Sequence, residues 1–318
     1  MQPSRQLRER NVNLPGVGGG AKSVAAPTNG GARVVANSIS IGRSPGAPSG
    51  INLSRSAPLG LSRSPVISMV SDGEGHWRLN GGDDVDMAPS HLTEEQTKFL
   101  WRNCDAVCFD VDSTVCRDEA IDELAEFCGV GTEVAAWTKK AMNGKFSFRQ
   151  ALSERLNLIK PTKQQMERYI RQNRPKLTPG IRELVSELHM RGVQVFLVSG
   201  GFKRIIFPVA NMLKIPHDHV FANVILYNYD GSYAGFDADQ PTSDSGGKGE
   251  VCAILKAKYG LNRLFMIGDG ATDLEACPPA DGFIGFGGNQ VREKVRQEAS
   301  WFVYDFQELL DELRKDDN

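Results

Sequence analysis

Beyond Pro179-Gly180 the chain alternates short apolar runs with stretches of helical period, and this rhythm restricts the fold more than any other feature. The pattern predicts helix Ile181–Arg191 before strand Val193–Val198, and helix Lys203–Leu213 before strand Val220–Asn223. Helix Gly249–Lys258 then leads to strand Leu264–Ile267, followed by strand Phe283–Phe286, helix Val291–Glu298 and strand Trp301–Tyr304. Strands separated by helices make a parallel sheet covered on both faces. The expected class is therefore α/β, an open Rossmann-like parallel core.

Upstream, Thr93 and Gln96 form a capping box ahead of apolar Phe99 and Leu100, and Ala106–Phe109 reads as a buried strand. From Ile121 to Arg174 apolar residues recur at three and four, as in Leu152, Leu156 and Ile159, with a break and restart at Pro161-Thr162. No strand interrupts this block. It is expected to form a helical cap, residues 117–177, inserted into a core made of residues 91–116 and 178–318. Tyr227 to Tyr233, centred on Asp230-Gly231, reads as a small inserted β-hairpin.

Residues 1–90 differ from the rest. They hold 14 of the 33 glycines and 8 of the 16 prolines, too little apolar surface to offset the entropy of ordering, so a disordered tail is expected. Residues 1–71 carry eight Lys or Arg against one acid, a net of +7, which leaves −9 on the remainder. An acidic body argues against nucleic acid as the partner. No window approaches 18 consecutive apolar residues, so no membrane-spanning helix is expected. The six cysteines include no CxxC pair, and reduced thiols in a cytoplasmic setting are the expectation. The Arg- and Ser-rich, acid-poor tail also fits an organellar transit peptide, which is the alternative reading of residues 1–90.

In an open α/β sheet, ligands bind beyond the carboxyl ends of the strands. Here the strand ends carry Asp110 and Asp112, Ser199-Gly200-Gly201, and Asp269-Gly270, with Lys248 following Gly246-Gly247. Any single Asp at such a place is most simply a turn cap. Three acids at the ends of two separate strands repel one another, and a hard divalent cation such as Mg²⁺ relieves that repulsion. Asp110 and Asp112, two apart in extended chain, are expected to lean to one side. Ser199-Gly200-Gly201 offers a hydroxyl and open backbone N–H groups at a helix start, suited to an anion.

In this order, Asp110-Val111-Asp112-Ser113-Thr114, Ser199-Gly200, Lys248 and Gly268 through Asp273 resemble the four motifs of the haloacid dehalogenase-like phosphatases. Longer stretches, including Leu177 through Arg182, Ser245 through Gly249 and Gly268 through Ala280, are similar to the animal phosphoserine phosphatases within that group. The resemblance covers roughly residues 93–314 and leaves out the tail. It implies that Asp110 is the nucleophile and that Asp112 gives and takes the proton. It also implies Mg²⁺ held by Asp110, the Asp112 carbonyl and Asp269, with Asp273 nearby. Ser199, Gly200, Gly201 and Lys248 would hold the phosphoryl oxygens. Glu119 would meet the ammonium of a phosphoserine substrate and Arg155 its carboxylate, with Met142, Asn143, Gly144, Phe148, Thr272 and Arg292 around them. Asn143 departs from the Gly common in the family. A homodimer and hydrolysis of O-phospho-L-serine as the last step of serine synthesis complete the implied picture.

Two other readings compete. A phosphatase or phosphoryl transferase with another small substrate would keep the same motifs. A non-catalytic binder would have lost its acids, yet Asp110, Asp112, Lys248 and Asp269 are all in place. None of the five histidines follows a nucleophile-elbow pattern, which speaks against a Ser-His-Asp hydrolase.

Overall fold

The computed structural model describes residues 69–71, 77–79, 92–141 and 146–315. The tail expected to be disordered lies outside these residues, apart from β1 (Met69–Ser71) and β2 (Trp77–Leu79), which pair antiparallel where no element was expected.

Helix α1 (Glu94–Arg102) starts at the anticipated capping box, Thr93 accepting from the Gln96 N–H and Gln96 answering at the Thr93 backbone. Strand β3 (Ala106–Phe109) follows and is wholly buried. Four helices come next: α2 (Ala120–Phe127), α3 (Gly131–Ala141), α4 (Phe148–Ile159) and α5 (Lys163–Gln172). Ser147 and Thr162 open α4 and α5 with capping boxes of their own, so the Pro161-Thr162 break is a true restart. The alternation then begins with α6 (Ile181–Met190), β4 (Gln194–Phe202), α7 (Lys203–Leu213) and β5 (Val220–Asn223). A hairpin of β6 (Ile225–Tyr227) and β7 (Tyr233–Phe236) precedes α8 (Gly247–Tyr259). The chain closes with β8 (Leu264–Gly268), α9 (Ala271–Leu274), β9 (Gly282–Phe286), α10 (Glu293–Glu298), β10 (Trp301–Val303) and α11 (Phe306–Leu313).

Six strands form one parallel sheet in the order β10-β9-β8-β3-β4-β5. Side chains alternate across it as strand geometry requires. Val107 and Phe109 of β3, Val195 and Leu197 of β4, and Phe265 and Ile267 of β8 face one core, with α1, α6, α7 and α11 packed on it. Cys108, Phe196 and Met266 face the other, under α8. The inserted helices have a third core, where Leu124, Leu152, Leu156, Met166 and Tyr169 meet Phe202 and Ile225. Chain order reverses at β3, between β4 and β8, and this switch point is where an open sheet leaves a crevice at its carboxyl edge.

Some expected boundaries moved. Strand β4 runs through Ser199-Gly200-Gly201 to Phe202, because Phe202 pairs with Asn223 across an irregularity after Val198; the segment is a distorted strand end and the helix starts only at Lys203. Helix α8 begins two residues before the expected Gly249, so Lys248 sits in its first turn. Gly246 at φ 74° turns the chain into it, and a side chain on Gly247 would strike the Pro241 carbonyl. Helix α10 starts at Glu293, and α11 was not anticipated.

Candidate active site

The first carboxylate stands at the end of β3. Asp110 (φ −66°, ψ 156°) and Asp112 (φ −66°, ψ 132°) both have the extended backbone expected of them, and the chain kinks at Ser113 within a π-type turn, residues 111–115. Cys116 N–H donates to the Val111 carbonyl at 2.8 Å, and Ser113 takes the left-handed conformation at φ 56°, uncommon without glycine. Asp110 is buried and Asp112 half-buried. The Ala120 N–H donates to Asp112 Oδ1 at 3.0 Å, so the first turn of α2 anchors one oxygen. Asp112 Oδ2 and Ser199 Oγ flank Gly201, lying 3.0 and 3.1 Å from where a Cβ would be, so a side chain there would push on both.

Strand β8 and the turn after it supply the other acids. Asp269 is buried and accepts from Arg292 Nε at 2.8 Å and from Thr114 Oγ1 at 3.3 Å. Asp273 is buried in α9, where one oxygen accepts the Gly270 N–H at 3.0 Å. The Lys248 ammonium lies between two of these groups, 2.8 Å from Asp110 Oδ1 and 2.5 Å from Asp273 Oδ1. Burial alone would favour neutral lysine, but Asp110 and Asp273 outweigh it and hold the ammonium above the ordinary lysine range.

The carboxylates respond in the opposite direction. Burial raises Asp110 well above the usual carboxylate range, Asp273 adds to the rise, and Lys248 opposes it. Asp273 is likewise raised by burial against the pull of Lys248. Asp112 is pushed up to about 7 by burial and by Glu119, against the Ala120 N–H and Lys248. Two buried carboxylates, Asp110 and Asp273, are thus strained as anions, and a third, Asp112, holds a proton up to about pH 7.

These groups line one cavity of about 320 Å³. Its floor holds Asp110, Asp112, Gly200, Gly201, Lys248, Asp269, Thr272 and Asp273. Glu119, Phe148, Arg155 and Arg292 border the same space. Of the residues singled out in the sequence, Ser199 does not reach the wall: it is fully buried, its Oγ accepting the Gly201 N–H at 2.9 Å. Met142, Asn143 and Gly144 lie outside the described residues. Glu119 accepts from Ser113 Oγ at 2.8 Å and has Arg292 Nη2 at 3.5 Å. Arg155 donates Nε to its own helix at Ala151 O, 3.3 Å away, and has no ion pair among the described residues; burial lowers it, with Asp122, Glu119 and Asp112 opposing.

Sequence reasoning missed part of this wall. Ile121 and Leu152 give the cavity an apolar side, and only the folded positions of α2 and α4 bring them there. Gly268, the last residue of β8, has Asp273 packed so close that a Cβ would sit 2.2 Å from its Cγ. Its place at a strand end was the available signal.

The donor set fits a hard divalent cation. One oxygen each of Asp110, Asp269 and Asp273 lie within 4.8 Å of one another, all three residues buried. The cavity is lined by five carboxyl groups against three cationic side chains. Oxygen donors of this kind, without nitrogen or sulfur, suit magnesium-like ions rather than softer metals.

Comparison with known proteins agrees with the geometry. Residues 104–281 match the haloacid dehalogenase-like hydrolase family. The phosphoserine phosphatase of Rattus norvegicus is 54% identical over 224 residues, 70% of this chain and 100% of that protein. The chloroplastic phosphoserine phosphatase of Arabidopsis thaliana is 49% identical over 251 residues, 78% of this chain and 83% of the relative. Among solved structures, a phospho-aspartyl intermediate analogue of phosphoserine phosphatase superposes with a TM-score of 0.57 at 32% identity, covering 65% of this chain and 98% of the other. The chain belongs to the phosphoserine phosphatase family of the haloacid dehalogenase-like hydrolases.

Proposed function

We propose that the protein hydrolyses O-phospho-L-serine to L-serine and phosphate through an aspartyl phosphate on Asp110. The observation that carries this reading is one cavity, in which Asp110, Asp112 and Lys248 share space with a carboxylate, Glu119, and with the Arg155 guanidinium, which has no ion pair among the described residues. A phosphoserine zwitterion presents a phosphate, an ammonium and a carboxylate, and the cavity offers a complement to each. The guanidinium of Arg155 suits a carboxylate because its N–H groups form a fork.

In this reading a carboxylate oxygen of Asp110 attacks phosphorus, and the bond from phosphorus to the serine oxygen breaks. Asp112, protonated near neutral pH because it is buried beside Glu119, gives its proton to the departing oxygen. Water then loses a proton to the Asp112 carboxylate and attacks the same phosphorus, which frees Asp110 and leaves phosphate. Lys248 stays charged and screens Asp110 from the incoming anion. Asp110, Asp269 and Asp273 would hold Mg²⁺, which when bound supplies positive charge against the phosphoryl oxygens. Gly200 and Gly201 line the floor without side chains, and Ser199 beneath them fixes the Gly201 N–H.

The test is phosphate release from a panel of phospho-amino acids and sugar phosphates, with and without EDTA. Phosphoserine is expected to lead the panel, and both EDTA and Asp110→Asn are expected to stop turnover. Normal turnover by Asp110→Asn would overturn the assignment. We also place the enzyme in the cytoplasm as a homodimer. The six free cysteines support the first and the family resemblance the second. The Arabidopsis relative is named chloroplastic, so a fluorescent fusion of residues 1–90 is the localisation test, and sedimentation that of the dimer.

A further inference from the structure

The loop after β9 reaches back across the sheet to the turn that carries Asp112. Asn289 is half-buried there, and its Nδ2 lies 3.1 Å from the Ser113 carbonyl, 3.3 Å from that of Thr114 and 3.5 Å from that of Cys116. It also lies 2.7 Å from Thr178 Oγ1, whose own proton goes to the Thr114 carbonyl at 2.6 Å. Carbonyls only accept, and the Thr178 proton is already used, so all four neighbours demand a donor from Asn289. Two amide hydrogens are shared among them. The same few residues carry both passages between the sheet and the inserted helices. Cys116 bridges to Leu177, Arg117 N–H donates to Lys176 O, and Thr178 N–H donates to Val115 O.

The π-type turn is closed by its own Cys116 N–H to Val111 O bond and tied down at Val115 and Thr114 by Thr178; Asn289 adds the bond to the Ser113 carbonyl, next to Asp112. Ser113 holds a left-handed conformation that costs a non-glycine residue stability. Its side chain is held by Glu119 and its carbonyl by Asn289. Asp112 immediately precedes it, so the direction of the Asp112 carboxylate depends on that turn. We propose that Asn289 is a positioning residue that sets Asp112 for proton transfer to the leaving oxygen, acting through the Ser113 and Thr114 carbonyls. The inference rests on the assignment of Asp112 as the proton donor.

Leaving-group chemistry separates this role from a plain brace. Serine leaves as a poor alkoxide and needs the proton, whereas p-nitrophenolate leaves without one. For Asn289→Ala with Mg²⁺ present, kcat for phosphoserine is expected to fall about 10–100-fold, as misplacement of a reacting group by about 1 Å does, with KM within about threefold. The pre-steady-state burst of p-nitrophenolate from p-nitrophenyl phosphate is expected to stay within about threefold. Asn289→Asp, the same size but without a donor, is expected to lose at least as much. Thr178→Val, which removes the shared oxygen, should repeat the ester-selective loss and serves if the Asn289 variants fold poorly. Equal losses on both esters, or none on either, would overturn the proposal. Asp112→Asn run alongside separates the two layers: if it discriminates between the esters and Asn289→Ala does not, Asn289 is the error. If Asp112→Asn shows no discrimination, the proton-donor assignment fails and this inference fails with it.

Discussion

Asp112 carries the greatest chemical burden of any residue in the cavity, and its surroundings explain why. Burial and the neighbouring Glu119 disfavour its anion, which moves its titration from 3.8 to about 7. A raised value means the proton is retained below about 7 and lost above it. Phosphorylation of the enzyme by phosphoserine should therefore slow as pH rises through about 7, while p-nitrophenyl phosphate shows no such fall over that range; stopped-flow burst rates at a series of pH values check this, and matching profiles would contradict it. Arg155 sets the second expectation. Its guanidinium is without an ion pair among the described residues, and a charged hydrogen bond contributes about 1.5–3 kcal/mol. Arg155→Ala should lower kcat/KM for phosphoserine about 10–100-fold and leave an aryl phosphate within about threefold. Cys116, by contrast, is buried, and burial with the Asp112 charge raises its thiol, so it packs as a small apolar side chain.

The secondary-structure elements show where local pattern is enough and where it is not. Strands β3 and β8 were legible because each is a short apolar run ended by polar residues, and the order of those ends located the carboxylates. The inserted helices were legible from Leu152, Leu156 and Ile159 at helical spacing. The π-type turn was not, since nothing in Val111-Asp112-Ser113 marks a left-handed residue when no glycine is present. Ser199 was misplaced for a different reason: Ser-Gly-Gly looks like a loop, and only pairing with β5 draws it into a strand. Asn289 followed the same strand-end logic as Asp110 and Asp269, on β9, and went unread because its work is done through backbone carbonyls. Gly268 gives a test at this level. Alanine there would press on Asp273, so Gly268→Ala should weaken divalent-ion binding and lower activity more than about 100-fold, although the residue does not line the cavity. Wild-type ion affinity by calorimetry would refute that account.

Across the molecule as a whole, the sheet concentrates like charge at one edge and spends stability to do so. Asp110 and Asp273 titrate above the ordinary 3.8 in the folded protein, so the folded state keeps protons that the unfolded chain releases. Their contribution to stability is therefore most favourable below that pH and declines as pH rises from it toward the raised values. In ion-free protein, Asp110→Asn should melt at least about 2 °C above wild type near neutral pH, and the gap should narrow toward pH 4. Added divalent ion should reverse the ranking by stabilising wild type alone. Calorimetric melting at two pH values decides it, and a variant that melts lower without ion would sink the argument. The antiparallel bridge between Cys116 and Leu177 has a consequence of another sort. A long excursion that departs and returns at neighbouring points behaves as a cassette, because its two joints already sit side by side. A lineage can lengthen, trade or redesign such a cassette, and thereby change its diet of esters, while the machinery beneath is inherited untouched.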